Sequence, residues 1–288
     1  LEKYKPNSII NFAAETHVDR SIVGPDAFIK TNIFGVYNLL KQSLKYYEKL
    51  PEGGNESHRS IDKERATKET FKFVQISTDE VYGSLGLNEP SFTENHPFRP
   101  NSPYSASKAS GDHLVRSWIK TYNFPAIITN CSNNYGPYQY PEKLIPLVIK
   151  NCLVGKKIPV YGDGKQIRDW LYVDDHCNAL ERVLKIGTIG ETYNIGGQNE
   201  STNIDLVDLV CSTLDNCVEK KKEHSFESFK ELITFVKDRP GHDYRYSINA
   251  EKINSALNWS PSVNLEIGIK KTVEWYLKNK NWLESRNN

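Results

Sequence analysis

Phe71-Lys-Phe-Val-Gln-Ile-Ser77, running straight on into Thr78-Asp79-Glu80-Val-Tyr-Gly83, is the stretch on which the reading of this chain turns. The first seven residues read as a strand. The next six open on three polar side chains, two of them carboxylates, and close on a glycine. Open α/β sheets bind ligands beyond the carboxyl ends of their parallel strands. Polar groups at such a strand end are costly in a closing cleft unless they are used. On their own the same residues also describe a strand-terminal turn rich in Asp and Gly, so the neighbouring sequence has to decide.

Upstream, Ser8-Ile-Ile-Asn-Phe-Ala13 is a short apolar run of the kind found in a parallel strand buried on both faces. From Pro25 to about Lys49, Phe28, Ile33, Val36, Tyr37, Leu40, Leu44 and Tyr47 form a helical stripe. Downstream, Pro103 to about Tyr122 reads as the next helix and Pro125-Ala-Ile-Ile-Thr-Asn-Cys131 as the strand after it. Strand, helix, strand, helix, strand is the order of a doubly wound parallel sheet, an α/β fold of Rossmann type. The polar stretch Pro51–Thr70 reads as a solvated loop or surface helix. Beyond Tyr135 the elements shorten and turn signals recur at Tyr161-Gly-Asp-Gly164 and Gly196-Gly197. The expected division is therefore residues 1–134, with about 168–200 returning to them, as a dinucleotide-binding domain, and 135–167 with 201–288 as a smaller substrate region.

Composition narrows the function classes. A formal net charge of +1 over 288 residues gives no electrostatic footprint for nucleic acid. No apolar run reaches the roughly 18 to 20 residues of a membrane span, and the polar opening Leu1-Glu-Lys-Tyr-Lys-Pro6 is no signal peptide. The five cysteines are scattered without a CxxC pair, which fits reduced thiols in a cytoplasmic protein and no metal site. There is no methionine, and no glycine-rich turn opens the fold as dinucleotide binding requires. The first legible strand reads as a later strand of such a fold, so roughly 60 to 70 residues are expected upstream, at about 30 per βα unit. Residues 1–288 alone are then expected to be inactive.

Tyr104-Ser-Ala-Ser-Lys108 carries the sharpest local signal. Ser102 and Pro103 suit the N-cap and first position of a helix, which puts Tyr104 and Lys108 on one face of its first turns. A lysine ammonium near a phenol favours the phenolate, which lowers a pKa that starts near 10. Tyr104 could then accept an alcohol proton while hydride leaves the same carbon. By itself YxxxK occurs in helices by chance; following the Thr78-Asp79-Glu80 strand end, it does not stand alone.

Together these residues resemble the extended short-chain dehydrogenase/reductase family and, within it, the dTDP-glucose 4,6-dehydratases. The resemblance rests on Ile76-Ser-Thr-Asp-Glu-Val-Tyr-Gly83, Pro103-Tyr-Ser-Ala-Ser-Lys108 and Ala13-Ala-Glu-Thr-His-Val-Asp-Arg-Ser21. Asn130-Cys-Ser-Asn-Asn-Tyr-Gly136, Pro141-Glu-Lys-Leu-Ile-Pro146, Gln166-Ile-Arg-Asp-Trp-Leu-Tyr172 and Asp238-Arg-Pro-Gly-His242 extend it along essentially the whole chain. What departs from the family is the missing amino-terminal portion. The resemblance implies an NAD-dependent hydro-lyase whose reacting groups are Thr78, Asp79, Glu80, Tyr104 and Lys108. It implies cofactor contacts from Phe12, Ala13, Ala14, Glu15, Thr16, Thr31 and Asn134, with Tyr104 and Lys108 also on the nicotinamide ribose. Substrate contacts are implied for Thr16, Thr78, Asn133, Lys143, Leu144, Pro159, Tyr161, Arg168, Asn203, Arg239 and His242. His17 reads as a structural hydrogen-bonder rather than a base. A homodimer through the helices near Phe28–Lys49 and Tyr104–Tyr122 is implied as well. The carboxylate pair points to dehydration, since related 4-epimerases carry small non-acidic residues there. The rivals are a dehydratase or 4-epimerase of another nucleotide sugar and, from another class, a non-catalytic NAD-binding assembly protein.

Overall fold

The computed structural model describes residues 1–53, 66–218 and 226–285; most of the polar stretch 51–70 lies outside them. Nine strands are described: β1 (Ser8–Asn11), β2 (Lys72–Thr78), β3 (Ala126–Cys131), β4 (Asn133–Tyr135), β5 (Ile158–Tyr161), β6 (Ile167–Tyr172), β7 (Thr192–Ile195), β8 (Glu200–Thr202) and β9 (Ile233–Val236). The helices are α1 (Val18–Val23), α2 (Asp26–Phe28), α3 (Val36–Glu48), α4 (Pro103–Tyr122), α5 (Leu144–Leu153), α6 (Val173–Ile186), α7 (Asn203–Cys217), α8 (Glu251–Leu257), α9 (Leu265–Lys278) and α10 (Lys280–Glu284).

The main sheet runs β1-β2-β3-β7 and is parallel throughout. Successive residues of its central strands face opposite sides, as the pleat requires. Phe73, Ala126 and Ile128 pack with Val36, Leu40 and Val115 of α3 and α4 on one face. Val74, Ile76 and Ile127 pack with Ala179, Leu180, Val183, Ile253 and Leu257 of α6 and α8 on the other. Helices on both faces explain why these strands are continuously apolar rather than alternating. The fold is the α/β arrangement expected from the sequence.

Two elements differ from the sequence reading. The first strand ends at Asn11, so Phe12 and Ala13 belong to the loop that leaves it. The single stripe over 25–49 is broken by a π-helical segment, Ile29–Gly35, between α2 and α3. Such a segment adds a residue per turn and frees backbone groups, and it occurs frequently at functional sites. The stripe does not show it, because Ile33 and Val36 keep a helical spacing in sequence across it.

The second region has its own core. Ile145, Val148 and Ile149 of α5, Val207 and Val210 of α7, and Ile269, Val273 and Tyr276 of α9 bury one another. The parallel pair β5-β9 and the sheet β4-β6-β8 flank this core. Because β4 follows β3 after one residue, this region's sheet begins at the carboxyl edge of the main one. The cleft between them therefore lies over the ends of β1, β2 and β3.

Candidate active site

At the end of β2 the Thr78 hydroxyl accepts a hydrogen bond from the Glu80 N–H at 3.3 Å and caps the short 3₁₀ turn Asp79–Tyr82. The turn closes on Gly83 at φ 95°, where an added Cβ would lie 2.5 Å from the Arg99 carbonyl oxygen, so only glycine fits. This tight exit holds both carboxylates inward. Asp79 is 2% exposed, and its Oδ2 is buried without a hydrogen-bond partner. Burial, then the charges of Glu80 and Asp169, push its carboxyl well above the usual carboxylate range. Burial also raises Glu80, but Arg168, Arg239 and Lys143 pull in the other direction. Burial raises both carboxyls, but their charged neighbours differ: Glu80, Asp169 and Arg168 act on Asp79, whereas Arg168, Arg239, Lys143 and Asp243 act on Glu80.

Ser102 caps α4 with a reciprocal Ser102–Ser105 capping box, and Pro103 occupies the first turn, as the sequence suggested. This fixes Tyr104 and Lys108 on the buried face of α4. Lys108 Nζ donates to the Ile76 carbonyl at 2.7 Å. One expectation is corrected here. Burial, followed by the negative charge of Glu80, pushes the Tyr104 phenol well above its ordinary value rather than below it; the Thr78 hydrogen bond opposes this. Lys108 is itself lowered, first by burial.

On the cofactor side, the loop leaving β1 is held by Asn32 from the π segment. Asn32 Oδ1 accepts from Glu15 N–H at 2.9 Å, while its Nδ2 donates to Glu15 O at 3.0 Å and to Ser107 Oγ of α4 at 2.9 Å. Asn32 thus ties residues 13–16, Thr31 and the Tyr104 helix into one unit, and it was not singled out in the sequence; its position beside Thr31 was the available signal. Phe12 is 59% exposed on that loop. Across the sheet edge, Asn134 Nδ2 donates to Ser132 O at 3.1 Å, whereas its Oδ1 and that of Asn133 are buried without partners.

A cleft of about 450 Å³ opens between the sheet end and the second region. Thr16, Asn133, Lys143, Leu144, Pro159, Tyr161, Arg168, Asn203, Arg239 and His242 all line it, as does Glu80. Thr78 is not among its wall residues and lies behind Glu80 and Tyr104. The guanidinium of Arg168 is buried and donates to the backbone carbonyls of Ile167 at 2.7 Å and Asp243 at 3.0 Å, with Cζ 4.3 Å from the Tyr246 ring centroid. Lys143 Nζ donates to Thr16 O at 2.7 Å. His242 Nδ1 lies 2.6 Å from Asp238 Oδ1. His17 caps α1, accepting from Arg20 N–H at 3.4 Å, which is a structural role.

Two cleft residues were missed in the sequence. Asp19 of α1 accepts from Tyr161 Oη at 3.0 Å and from Arg239 Nη1 at 3.2 Å. Tyr246 donates to Asp243 Oδ2 at 2.5 Å, with its hydroxyl 3.5 Å from Glu80 Oε2. Asp19 stood inside the quoted Ala13–Ser21 motif, but nothing local in the sequence brings it to residues more than a hundred positions away.

A family profile described as GDP-mannose 4,6 dehydratase matches residues 1–272. A dTDP-glucose 4,6-dehydratase of Neisseria meningitidis is 52% identical over 283 residues, 98% of this chain and 76% of its own length. One from Escherichia coli K12 is 54% identical over 291 residues, with 98% and 76% covered. Among solved structures, the dTDP-glucose 4,6-dehydratase of Streptomyces venezuelae with NAD and dTDP bound aligns at TM-score 0.82 and 40% identity, covering 97% of this chain and 76% of that one.

Proposed function

The chain belongs to the dTDP-glucose 4,6-dehydratases, within the family described as GDP-mannose 4,6 dehydratase, and on that premise we infer that it converts dTDP-glucose to the 4-keto-6-deoxy sugar with NAD as cofactor. The observation that carries the reaction class is the buried Asp79–Glu80 pair in its two unlike environments. Where neighbouring titratable groups are pushed apart, one serves as acid and the other as base.

NAD, when bound, supplies a positively charged acceptor that takes hydride from C4 and later returns it to C6. The residues proposed to hold it are Phe12–Thr16, Thr31, Tyr104, Lys108 and Asn134. Their fit is supported by the unpartnered Asn134 Oδ1 and by the Asn32 network that organises the loop after β1. Tyr104 accepts the C4 hydroxyl proton. To do so it must ionise against its own burial and the Glu80 charge; the Lys108 ammonium and the Thr78 hydrogen bond favour the phenolate. Oxidation at C4 makes the C5 hydrogen acidic. Glu80, whose carboxyl burial raises while Arg168, Arg239 and Lys143 oppose that shift, takes that proton. Asp79, raised first by burial and then by the charges of Glu80 and Asp169, gives its proton to the departing C6 hydroxyl, which leaves as water; Glu80 returns its proton to C5 once hydride is back on C6. The pair is adjacent and titrates jointly.

The nucleoside diphosphate is assigned to the 450 Å³ cleft, with Arg168, Arg239 and Asn203 for phosphate oxygens and Lys143, Leu144, Pro159 and Tyr161 around the base. His242 completes this wall, and Thr16, Thr78 and Asn133 are assigned to the sugar. Residues 1–134 with about 168–200 then form the cofactor domain, and the remainder the substrate region. The same reading includes a homodimer through the helices of 28–49 and 104–122, whose outer side exposes Phe34 (62%), Tyr37 (41%) and Tyr122 (49%). Five free cysteines fit a cytoplasmic enzyme. The test is turnover of dTDP-glucose against UDP-glucose and GDP-mannose, read by absorbance of the 4-keto product. Preference for either competitor would sink the substrate assignment.

A further inference from the structure

Behind the reacting groups lies a polar layer that the mechanism above does not use. Tyr104, Lys108 and Asp112 follow one another at four-residue intervals along the buried face of α4. Asp112 is 1% exposed. Its Oδ2 accepts from Ser77 Oγ at 2.5 Å and from Asn130 Nδ2 at 3.4 Å, whereas Oδ1 is buried without a partner. Ser77 follows Ile76, whose carbonyl accepts from Lys108, so consecutive residues of β2 grip consecutive turns of α4. Asn130 of β3 also donates to the Thr78 carbonyl at 3.1 Å, joining the same carboxylate to the strand end that carries Asp79 and Glu80.

We propose that Asp112 is a positioning residue for the reaction: its buried carboxylate is the counter-charge that keeps Lys108 cationic beneath Tyr104 and, through Ser77 and Asn130, fixes α4 in register with the Thr78-Asp79-Glu80 turn. The proposal rests on the reading of Tyr104 as the C4 base. Ser77 and Asn130 satisfy only one oxygen of this buried carboxyl, and its ionised form is left to act on Lys108 one turn away. The charge of Asp112 raises the proton affinity of Lys108, against the burial that lowers it. Lys108 in turn lowers Asp112, which burial leaves at about 7. The carboxylate is therefore charged above neutrality and lost below it.

Other charges face this group. Tyr82, beyond β2, feels its field. Glu94, His96, His113 and Arg116 share with it a pocket of about 310 Å³ on the side away from the substrate cleft.

The experiment follows C4 oxidation in single turnovers of the full-length enzyme with dTDP-glucose across pH 5.5 to 9, by bound NADH absorbance. Wild-type rates should rise through a limb near pH 7. Asp112→Asn should lose that limb and run at pH 8 at the rate that wild type shows below the limb, with KM for dTDP-glucose within about twofold. Ser77→Ala removes a hydrogen bond that favours the carboxylate, so its limb should move to higher pH with the plateau rate retained. It also decides the matter if Asp112→Asn does not fold. A limb unchanged in either variant, or a loss confined to thermal stability, overturns the proposal alone. Absence of 4-keto product from the unsubstituted full-length enzyme overturns the parent reading, and the proposal with it.

Discussion

Replacing Asp112 by Asn should make the protein relatively more heat-resistant as pH rises, even while it slows the reaction. A free aspartate titrates at 3.8, whereas burial holds Asp112 at about 7. Between those values the folded chain binds a proton that the unfolded chain has released, so stability falls as pH climbs through that window. At about 1.4 kcal/mol per pH unit, charging this group costs the fold roughly 4 kcal/mol in all, of which about 3 kcal/mol is incurred between pH 5 and pH 8. Asparagine can keep a bond to Ser77 but has nothing to titrate. At about 2 °C per kcal/mol for a chain of this size, the variant's midpoint minus that of wild type should be roughly 6 °C larger at pH 8 than at pH 5. Scanning calorimetry or a dye-based melt at the two pH values, at equal ionic strength, measures the difference. A gap that is the same at both values, within about 1 °C, would refute a carboxylate titrating near neutrality in the core.

Glu80→Gln should leave bound NADH forming on addition of dTDP-glucose while dehydration falls by about 10²- to 10⁴-fold, the usual share of a general base. Solvent deuterium should enter C5 correspondingly slowly, and wild-type exchange at C5 would exclude Glu80 as the base. Asp79→Asn should instead retain C5 exchange and stall at loss of the C6 hydroxyl; normal water loss would remove Asp79 as the acid. Arg168→Lys keeps a charge but not the fork that reaches the carbonyls of Ile167 and Asp243. A lost charge-assisted bond is worth about 1.5 to 3 kcal/mol, so dTDP affinity by calorimetry should drop roughly tenfold to over a hundredfold, and unchanged affinity would place Arg168 outside the nucleotide contacts. Gly268→Ala puts a Cβ 1.9 Å from the buried Tyr135 hydroxyl. It should cost about 1 to 3 kcal/mol in urea unfolding, and a neutral result would mean that Tyr135 can move aside.

The parts of the fold that were legible in the sequence are those governed by local rules. Helix Pro103–Tyr122 was readable end to end because Ser102, Pro103 and the apolar spacing agree. Strand β2 was readable because burial on both faces leaves an unbroken apolar run. The π segment was not, since Ile33 and Val36 fit a plain helical stripe equally well. Within the site, the residues carried by motifs divide: those assigned to the substrate, apart from Thr78, line one cleft, while Tyr104 and Lys108 share the buried face of α4. Partners supplied from far away were not legible: Asp19 meets Tyr161 and Arg239 only after folding. Asp112 could have been found, because it repeats the Tyr104–Lys108 interval on the same face. The direction of the Tyr104 shift was misjudged because a spacing of four residues reveals a neighbour's charge but not how thoroughly the pair is removed from water.

The carboxylate of Asp19 occupies the hydroxyl of Tyr161 and one arm of Arg239, and so acts as an anion that the protein carries for its own cleft. On the proposed assignment of the cleft to the nucleoside diphosphate, a diphosphate entering there would exchange with a ligand already seated rather than meet bare cations. The measured affinity is then the difference between two anion-binding energies, and added salt screens both sides of the exchange. The salt dependence of nucleotide binding should accordingly be shallower than a count of the basic residues lining the cleft suggests.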